Sequence, residues 1–130
     1  MNILHIIPSL KVGGAERLVV DICDEISKQN IHDIKLITFS DDFSSFEQTK
    51  IYHKHISSSY QPSIISKSKV NSEKLQDLIN DFNPDIIHSH LWETEMLLSQ
   101  INTKKAIRFS HFHDNISQLK KKKFLFSKNL

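Results

Sequence analysis

Histidines alternate at three places along the chain, and alternate residues of a β-strand point to the same face. The pairs are His53/His55, His88/His90 and His111/His113. Two imidazoles on one strand face can bind a metal ion, donate or accept a hydrogen bond, or transfer a proton. No carboxylate or cysteine stands at a fixed spacing that would complete a recognisable ligand set. We therefore expect no metal site, although a metal-dependent hydrolase remains one alternative.

His113 is the residue that we predict to be catalytic. It lies at the end of a predicted strand and directly precedes Asp114, a position from which an imidazole can act as acid or base on a ligand hydroxyl. His90 ends another predicted strand, and Trp92 follows it. The indole of Trp92 can stack on a ring of the ligand or simply pack in the core. A structural role for each histidine also stays open.

Gly13 and Gly14 precede a predicted helix, where free N–H groups and the helix dipole favour an anion. Glycine lets the backbone approach such a ligand closely, and a diphosphate would fit there. The alternative is a tight turn that needs glycine only for its backbone angles. Glu16 and Arg17 fall in the first turn of the helix, where a solvated ion pair is the ordinary role. The spacing matches neither a dinucleotide-binding fingerprint nor a P-loop.

Apolar runs and helical periodicity alternate along the chain. Apolar runs predict strands at 3–7, 34–39, 51–56 and 85–90, and a fifth from 106 to about 111. Three- and four-residue spacing predicts helices at about 15–29, 71–82 and 92–101. The first helix has an apolar stripe made of Ala15, Leu18, Val19, Ile22, Cys23 and Ile26. Asn71 would cap the second helix, with Val70 and Leu75 packed across the cap.

This alternation predicts an α/β fold with a Rossmann-like, open and mostly parallel sheet and helices on both faces. Ligands bind such sheets beyond the carboxyl ends of the strands, where the strand order reverses. With the usual order, that point lies between the first strand and the strand that ends at His90. The glycine loop and the histidine-bearing strand ends would then meet at one edge of the sheet.

The bulk composition limits the classes of protein to which the chain can belong. Its 130 residues, 38% of them hydrophobic and 25% charged, suit one soluble globular domain. A net charge of +2 is too balanced for a general nucleic-acid binder, so no nucleic-acid partner is expected. Cys23 is the single cysteine, which indicates a buried small hydrophobe and a reducing, cytoplasmic setting. No apolar stretch reaches the length of a membrane span, and the N-terminus does not resemble a signal peptide.

The last residues differ in composition from the rest of the chain. We predict a domain over 1–115 and a basic, aromatic tail over 116–130 that was separated from a longer chain. Within the tail, four lysines at 120–123 precede Phe124-Leu125-Phe126. Lys120–Phe126 could lie on an anionic membrane surface as a peripheral contact, or form a solvated charge run beside residues that dock elsewhere.

Three segments together resemble a known family. The opening, from Asn2 to Leu10 and on through Val12-Gly13-Gly14-Ala15-Glu16-Arg17, resembles that of family 4 glycosyltransferases of the GT-B fold. Pro84-Asp85-Ile86-Ile87-His88-Ser89-His90 is similar to a second signature, and Arg108-Phe109-Ser110-His111-Phe112-His113-Asp114 to a third. Their order and spacing also agree with the family over about residues 1 to 115.

The resemblance implies the N-terminal, acceptor-side half of a two-domain enzyme with its active site in the cleft between domains. By position, Gly13 and Gly14 would face the diphosphate of a nucleotide-sugar donor and His113 the transferred sugar. The cleft and acceptor residues would be Glu16, His90, Trp92 and Asp114. The reaction would retain the anomeric configuration, need no metal or other cofactor, and deliver a sugar to a glycan or lipid-linked acceptor. Relatives assemble cell-surface polysaccharide or lipopolysaccharide.

The same resemblance implies that the fragment alone is inactive. The family holds the donor through paired glutamates of a C-terminal domain, which this sequence does not contain. The main alternative from another class is a non-catalytic Rossmann-like binding module. A reading frame that continues into a second βα-alternating segment with two glutamates would favour the enzyme, and a natural stop after Leu130 would favour the module.

Overall fold

The protein is described here by a computed structural model that covers residues 1–10, 13–39, 53–55 and 72–112. Within these ranges the chain forms five strands and three helices. The strands are β1 (Asn2–Ile6), β2 (Asp33–Thr38), β3 (His53–His55), β4 (Ile86–His90) and β5 (Ile107–His111). The helices are α1 (Gly14–Gln29), α2 (Ser72–Phe82) and α3 (Trp92–Leu98). Each predicted strand and helix is present, with bounds that differ by a few residues.

The strands form one sheet in the order β3-β2-β1-β4-β5, and every neighbouring pair is parallel. The chain builds outwards from β1 to β3, crosses to the other side of β1 for β4, and ends at β5. The order therefore reverses between β1 and β4, as predicted, and a crevice is expected where their carboxyl ends separate. This arrangement confirms the α/β, Rossmann-like fold class.

Helix α1 covers one face of the sheet. Val19, Val20 and Cys23 are buried among apolar residues of β2 and of the loop after β1. The predicted apolar stripe was wrong at Leu18, which is 38% exposed, whereas its neighbour Val20 is 4% exposed. Burial raises the pKa of the Cys23 thiol to about 12, so this side chain behaves as the predicted small hydrophobe.

Helices α2 and α3 cover the opposite face, which confirms helices on both sides of the sheet. The buried residues of this layer come from the sheet, α2 and α3: Leu4, Ile6, Ile37, Phe39, Leu75, Ile79, Ile87, Leu97 and Leu98. Leu78 and Phe82 pack against them, so α2 presents an apolar face to the sheet. Asn71 and Val70, the predicted cap and staple, lie outside the described residues.

The backbone conformation of the residue that follows each helix explains where α1 and α2 end. Asn30 follows α1 in the left-handed region, at a φ of 52°, and its N–H donates to the Ser27 carbonyl. Asn83 follows α2 at a φ of 49° and donates to the Ile79 carbonyl, and Pro84 then prevents the helix from continuing. In the described part of the chain, no helix combines the length and the apolar character that crossing a bilayer requires.

Replacing Ile87 with alanine is expected to destabilise the protein strongly. Ile87 is 0% exposed between the sheet and α2–α3, so its loss removes buried apolar surface and leaves a cavity. We expect a loss of about 2–5 kcal/mol in the free energy of unfolding, measured by urea denaturation.

Ile31→Ala is the matched control, because Ile31 is 71% exposed just beyond α1. Its effect should stay within about 0.5 kcal/mol of the parent protein. Equal losses in the two variants would contradict the placement of β4 in the core.

Candidate active site

Packing brings the segments after β1 and β4 together at one edge of the sheet. Ile7 and Leu10, which follow β1, are buried with Val19 of α1, and Leu91, which follows β4, packs against the same cluster. The start of α1 therefore lies beside the carboxyl end of β4. We call this edge the rim of the predicted crevice.

Gly13 and Gly14 form the junction between the rim and α1. The Arg17 N–H donates to the Gly13 carbonyl as the first helical hydrogen bond, and Gly13, as the N-cap, has no side chain that could cap the helix. Gly13 is extended, with φ at 177°, and neither glycine has a positive φ. The backbone angles therefore do not require glycine, so the tight-turn alternative has no support here. A Cβ on Gly14 would meet no atom within 4 Å, so packing does not require glycine there either.

Glu16 turns its carboxylate back towards Gly13. A Cβ on Gly13 would collide with the Glu16 Oε2 atom. A glutamate at the third helical position commonly returns to the start of its helix, where the free N–H groups attract negative charge. The first-turn ion pair therefore does not involve Glu16: Arg17 pairs with Asp21 at 3.1 Å on an exposed surface instead.

Four histidines form a row across the three strands β1, β4 and β5. The parallel register places His5 opposite His88 and His90 opposite His111, so all four side chains share one face of the sheet. Neighbouring rings in the row have centroids 4.2 to 5.8 Å apart. The row ends at the rim, since His90 and His111 are the last residues of their strands.

His5 and His90 are the buried members of this row. They are 1% and 0% exposed, and their Nδ1 and Nε2 atoms lie 3.1 Å apart in a hydrogen bond. Burial and the neighbouring charge of His88 lower the pKa of His5 to about 3. The imidazole of His5 is therefore neutral at physiological pH and carries a lone pair on one ring nitrogen.

The opposite face of β4 and β5 carries a polar network. The Ser89 hydroxyl donates a short hydrogen bond to the Glu95 carboxylate on α3, and the Arg108 guanidinium donates to the same carboxylate at 2.9 Å. Burial acts to raise the pKa of Glu95, but hydrogen bonds from Ser89 and Ser110 and the charge of Arg108 outweigh it and lower the pKa. This network joins α3 to both strands.

Trp92 begins α3 next to the rim. It is half-buried, and its ring centroid lies 5.8 Å from that of Phe112. The preceding Leu91 adopts a φ of 71°, and its N–H donates to the His111 carbonyl at 3.0 Å. The contact with Phe112 agrees with a packing role. A stacking role towards a ligand stays a prediction.

Among the predicted site residues that the structure describes, Gly13, Gly14 and Glu16 lie at the start of α1, which follows β1, and His90 and Trp92 lie at the end of β4 and the start of α3. His113 and Asp114, the catalytic candidate and its neighbour, lie outside the described residues, as does the Lys120–Phe126 segment. β5 ends at His111, two residues before His113 in the sequence.

Sequence reasoning missed His5 and the Glu95 network. His5 stands alone in an apolar run and has no second histidine two residues away, so no alternating pair marks it. The strand order could have indicated it. Because β4 is the parallel partner of β1, His88 lies opposite His5 and the two rings are side by side. The Glu95 network combines α3, β4 and β5, and no local spacing predicts which side chains of three separate elements meet.

A family model described as Glycosyltransferase Family 4 matches residues 12–128. The chain belongs to glycosyltransferase family 4. This match includes Gly13, Gly14 and both later signatures, and it favours transferase chemistry over the metal-dependent hydrolase. It extends past the domain boundary predicted at 115, which stays a prediction.

A solved structure supports the fold of this family 4 chain. It is described as the crystal structure of a glycosyltransferase from Rickettsia africae ESF-5, and it aligns with a TM-score of 0.59 at 21% identity. The alignment covers 95% of this chain and 33% of the other, so this chain spans a third of the length of that protein. A comparison with curated proteins finds no match.

Glu95→Gln is expected to reduce the loss of stability in acid. Because folding lowers the pKa of Glu95 below its ordinary 4.5, the carboxylate contributes stability above that pH, and the contribution disappears as pH falls through the folded-state pKa. The glutamine variant should start less stable at neutral pH and change less on acidification, as measured by urea unfolding across that range.

Glu93→Gln is the control, because Glu93 lies on the same helix and none of the described hydrogen bonds and ion pairs of the Glu95 network includes it. It should keep the pH dependence of the parent protein. A Glu95→Gln variant whose stability falls as steeply as that of the parent would show that the network does not hold the charge.

Proposed function

We propose that this chain is the acceptor-side, N-terminal domain of a transferase that moves a sugar from a nucleoside diphosphate sugar to a glycan or lipid-linked acceptor. One observation carries the proposal: a helix N-terminus with two adjacent glycines lies at the reversal point of a parallel sheet in a family 4 chain. The helix provides N–H groups and partial positive charge where a diphosphate would bind.

The glycines support close approach of a ligand. Because neither the backbone angles nor the packing explains Gly14, the open space around it is available to something outside the described chain. A phosphate oxygen in that space would accept hydrogen bonds from the first N–H groups of α1. Glu16 would have to rotate away as the anion arrives, since two negative groups would otherwise share the helix N-terminus.

His90 and the segment after β5 would provide the sugar-side contacts. His90 lies at the rim, and we assign to His113 the contact with the transferred sugar next to the reacting carbon. Asp114 and Trp92 would line the acceptor side of the cleft. A domain that covers a third of the matched structure needs the remainder to complete the donor site, so we expect the isolated chain to be inactive.

The finer features of the proposal rest on family membership. They are retention of the anomeric configuration, hexosyl transfer without a cofactor, and a role in cell-surface polysaccharide or lipopolysaccharide synthesis. The cytoplasmic location, with a peripheral contact to the inner face of the membrane through Lys120–Phe126, belongs to the same proposal. Lysines followed by aromatic residues suit an anionic lipid surface.

Gly14→Ala in the full-length enzyme is expected to weaken donor binding without loss of stability. A Cβ at this position meets no protein atom, and alanine favours the first turn of a helix more than glycine does. The methyl group would instead occupy the space assigned to the diphosphate. We expect a several-fold increase in the KM for the nucleotide sugar, read from initial rates, and an unchanged or slightly higher melting temperature.

Ser27→Ala serves as the comparison, because Ser27 is exposed in the last turn of the same helix. That variant should keep the parental KM. If the KM of Gly14→Ala equals that of the parent at equal stability, the diphosphate does not bind at this helix.

His113→Ala in the full-length enzyme is expected to reduce transfer by at least the roughly 100-fold typical of a lost acid–base or sugar-contacting group. The melting temperature should stay within a few degrees of that of the parent. His55→Ala, a change in another histidine pair, is the matched control and should retain the parental rate. Near-normal turnover of His113→Ala would remove this residue from the mechanism.

A further inference from the structure

The histidine row contains a group of three side chains, of which His5 and His88 have no role in the proposed transfer. His5 of β1 and His88 and His90 of β4 place one ring nitrogen each within 4.8 Å of one another. Among the described residues, this is the one group of three or more potential ligands whose ligand atoms lie so close together. The parallel pairing of β1 with β4 builds it, because His88 lies directly opposite His5 and His90 lies one alternation further along the same face.

The spacing fits the coordination sphere of a small ion. Two imidazole nitrogens on a tetrahedral zinc, each bonded at about 2.0–2.1 Å, lie about 3.3–3.4 Å apart. His5 Nδ1 and His90 Nε2 are already 3.1 Å apart, and the His88 ring centroid lies 4.2 Å from that of His90. Binding would break the His5–His90 hydrogen bond, move its proton to the other nitrogen of the same ring, and bring ligand atoms that now lie within 4.8 Å of one another to about 3.4 Å.

We propose that His5, His88 and His90 form a binding site for a zinc-class divalent transition-metal ion that joins β1 to β4 beneath the rim. Imidazole suits Zn²⁺, Ni²⁺, Cu²⁺ and Co²⁺, whereas Mg²⁺ and Ca²⁺ prefer oxygen ligands, and the ligand set here is entirely nitrogen. Three protein ligands leave a fourth coordination position for water.

The burial of the group supports this assignment. His5 and His90 are fully buried, so a bound ion would be shielded from bulk solvent, while His88 is half-buried and gives access from the surface. Metal ions bind the neutral, deprotonated nitrogen of imidazole. The ion takes no part in sugar transfer, and its binding is measured without donor or acceptor.

The site can be tested by titrating purified, tag-free, full-length protein with metal ions. Calorimetry with Zn²⁺ should give one ion per chain, Mg²⁺ should give no binding at this site, and Co²⁺ should give the visible absorption of nitrogen coordination. His88→Gln should weaken Zn²⁺ binding by at least the roughly 10–100-fold that loss of an outer-sphere partner costs. We choose His88 because it is only half-buried, and circular dichroism checks that the variant is folded.

Two further variants make the result decisive. His90→Gln removes a second ligand from the same group and should weaken binding similarly. The double variant His53→Gln/His55→Gln removes two histidines from β3, more than either single variant removes, and should bind Zn²⁺ as the parent does. The proposal is overturned if the parent binds no stoichiometric Zn²⁺, if folded His88→Gln and His90→Gln both bind normally, or if the β3 variant loses the binding.

Discussion

The parallel pairing of β1 with β4 is the constraint on which the candidate site depends. It places Ile3 opposite Ile86, His5 opposite His88 and Ile6 opposite Ser89, and it separates the two connections that leave these strands. One connection leads into α1 through the glycines, and the other leads into α3 through Leu91. A shift of one residue in this register would move every histidine of β4 to the opposite face. The register therefore determines both the rim and the histidine row.

The two faces of β4 have different roles, because successive residues of the strand alternate between them. Ile87 and Ser89 point towards α2 and α3, where one packs in the core and the other hydrogen-bonds to Glu95. His88 and His90 point to the other face, towards His5 and the rim. One face thus anchors the strand while the other presents side chains that can do chemistry. A site built on an anchored strand is held more rigidly than one built on a loop.

The sequence was sufficient to predict the order and type of the described elements, because each has a local signal. The β-branched run of β2, the apolar stripe of α2 and Asn83-Pro84 after it act through neighbouring residues alone. The strand order followed from the usual connectivity of such folds, and it located the rim correctly. The exposure of Leu18 and burial of Val20 could not be predicted, since the rotation of a helix about its own axis is set by its packing against the sheet and not by local spacing.

The side-chain groups were harder to predict than the fold for a physical reason. His5, His88 and His90 come from strands separated by more than 80 residues, and Ser89, Glu95 and Arg108 from three different elements. Such contacts depend on register and rotamer, which local propensity does not encode. The glycines were predicted as candidates, but two explanations stood level until the backbone angles at Gly13 and Gly14 were known. The backbone angles remove the reason to require glycine for a turn, and the approach of a ligand stays a prediction.

β5 exposes apolar side chains beside the histidine row. Ile107 is 62% exposed and Phe109 is 53% exposed, and both lie on the face that carries the histidine row. Phe109 is the neighbour of His88 across the strands, with ring centroids 6.3 Å apart. Any segment or partner packed on this face would bury Phe109 and shield the half-buried histidines of the row from solvent. Burial of that kind would strengthen every polar interaction at the rim, since a lower local dielectric strengthens hydrogen bonds and charge interactions alike.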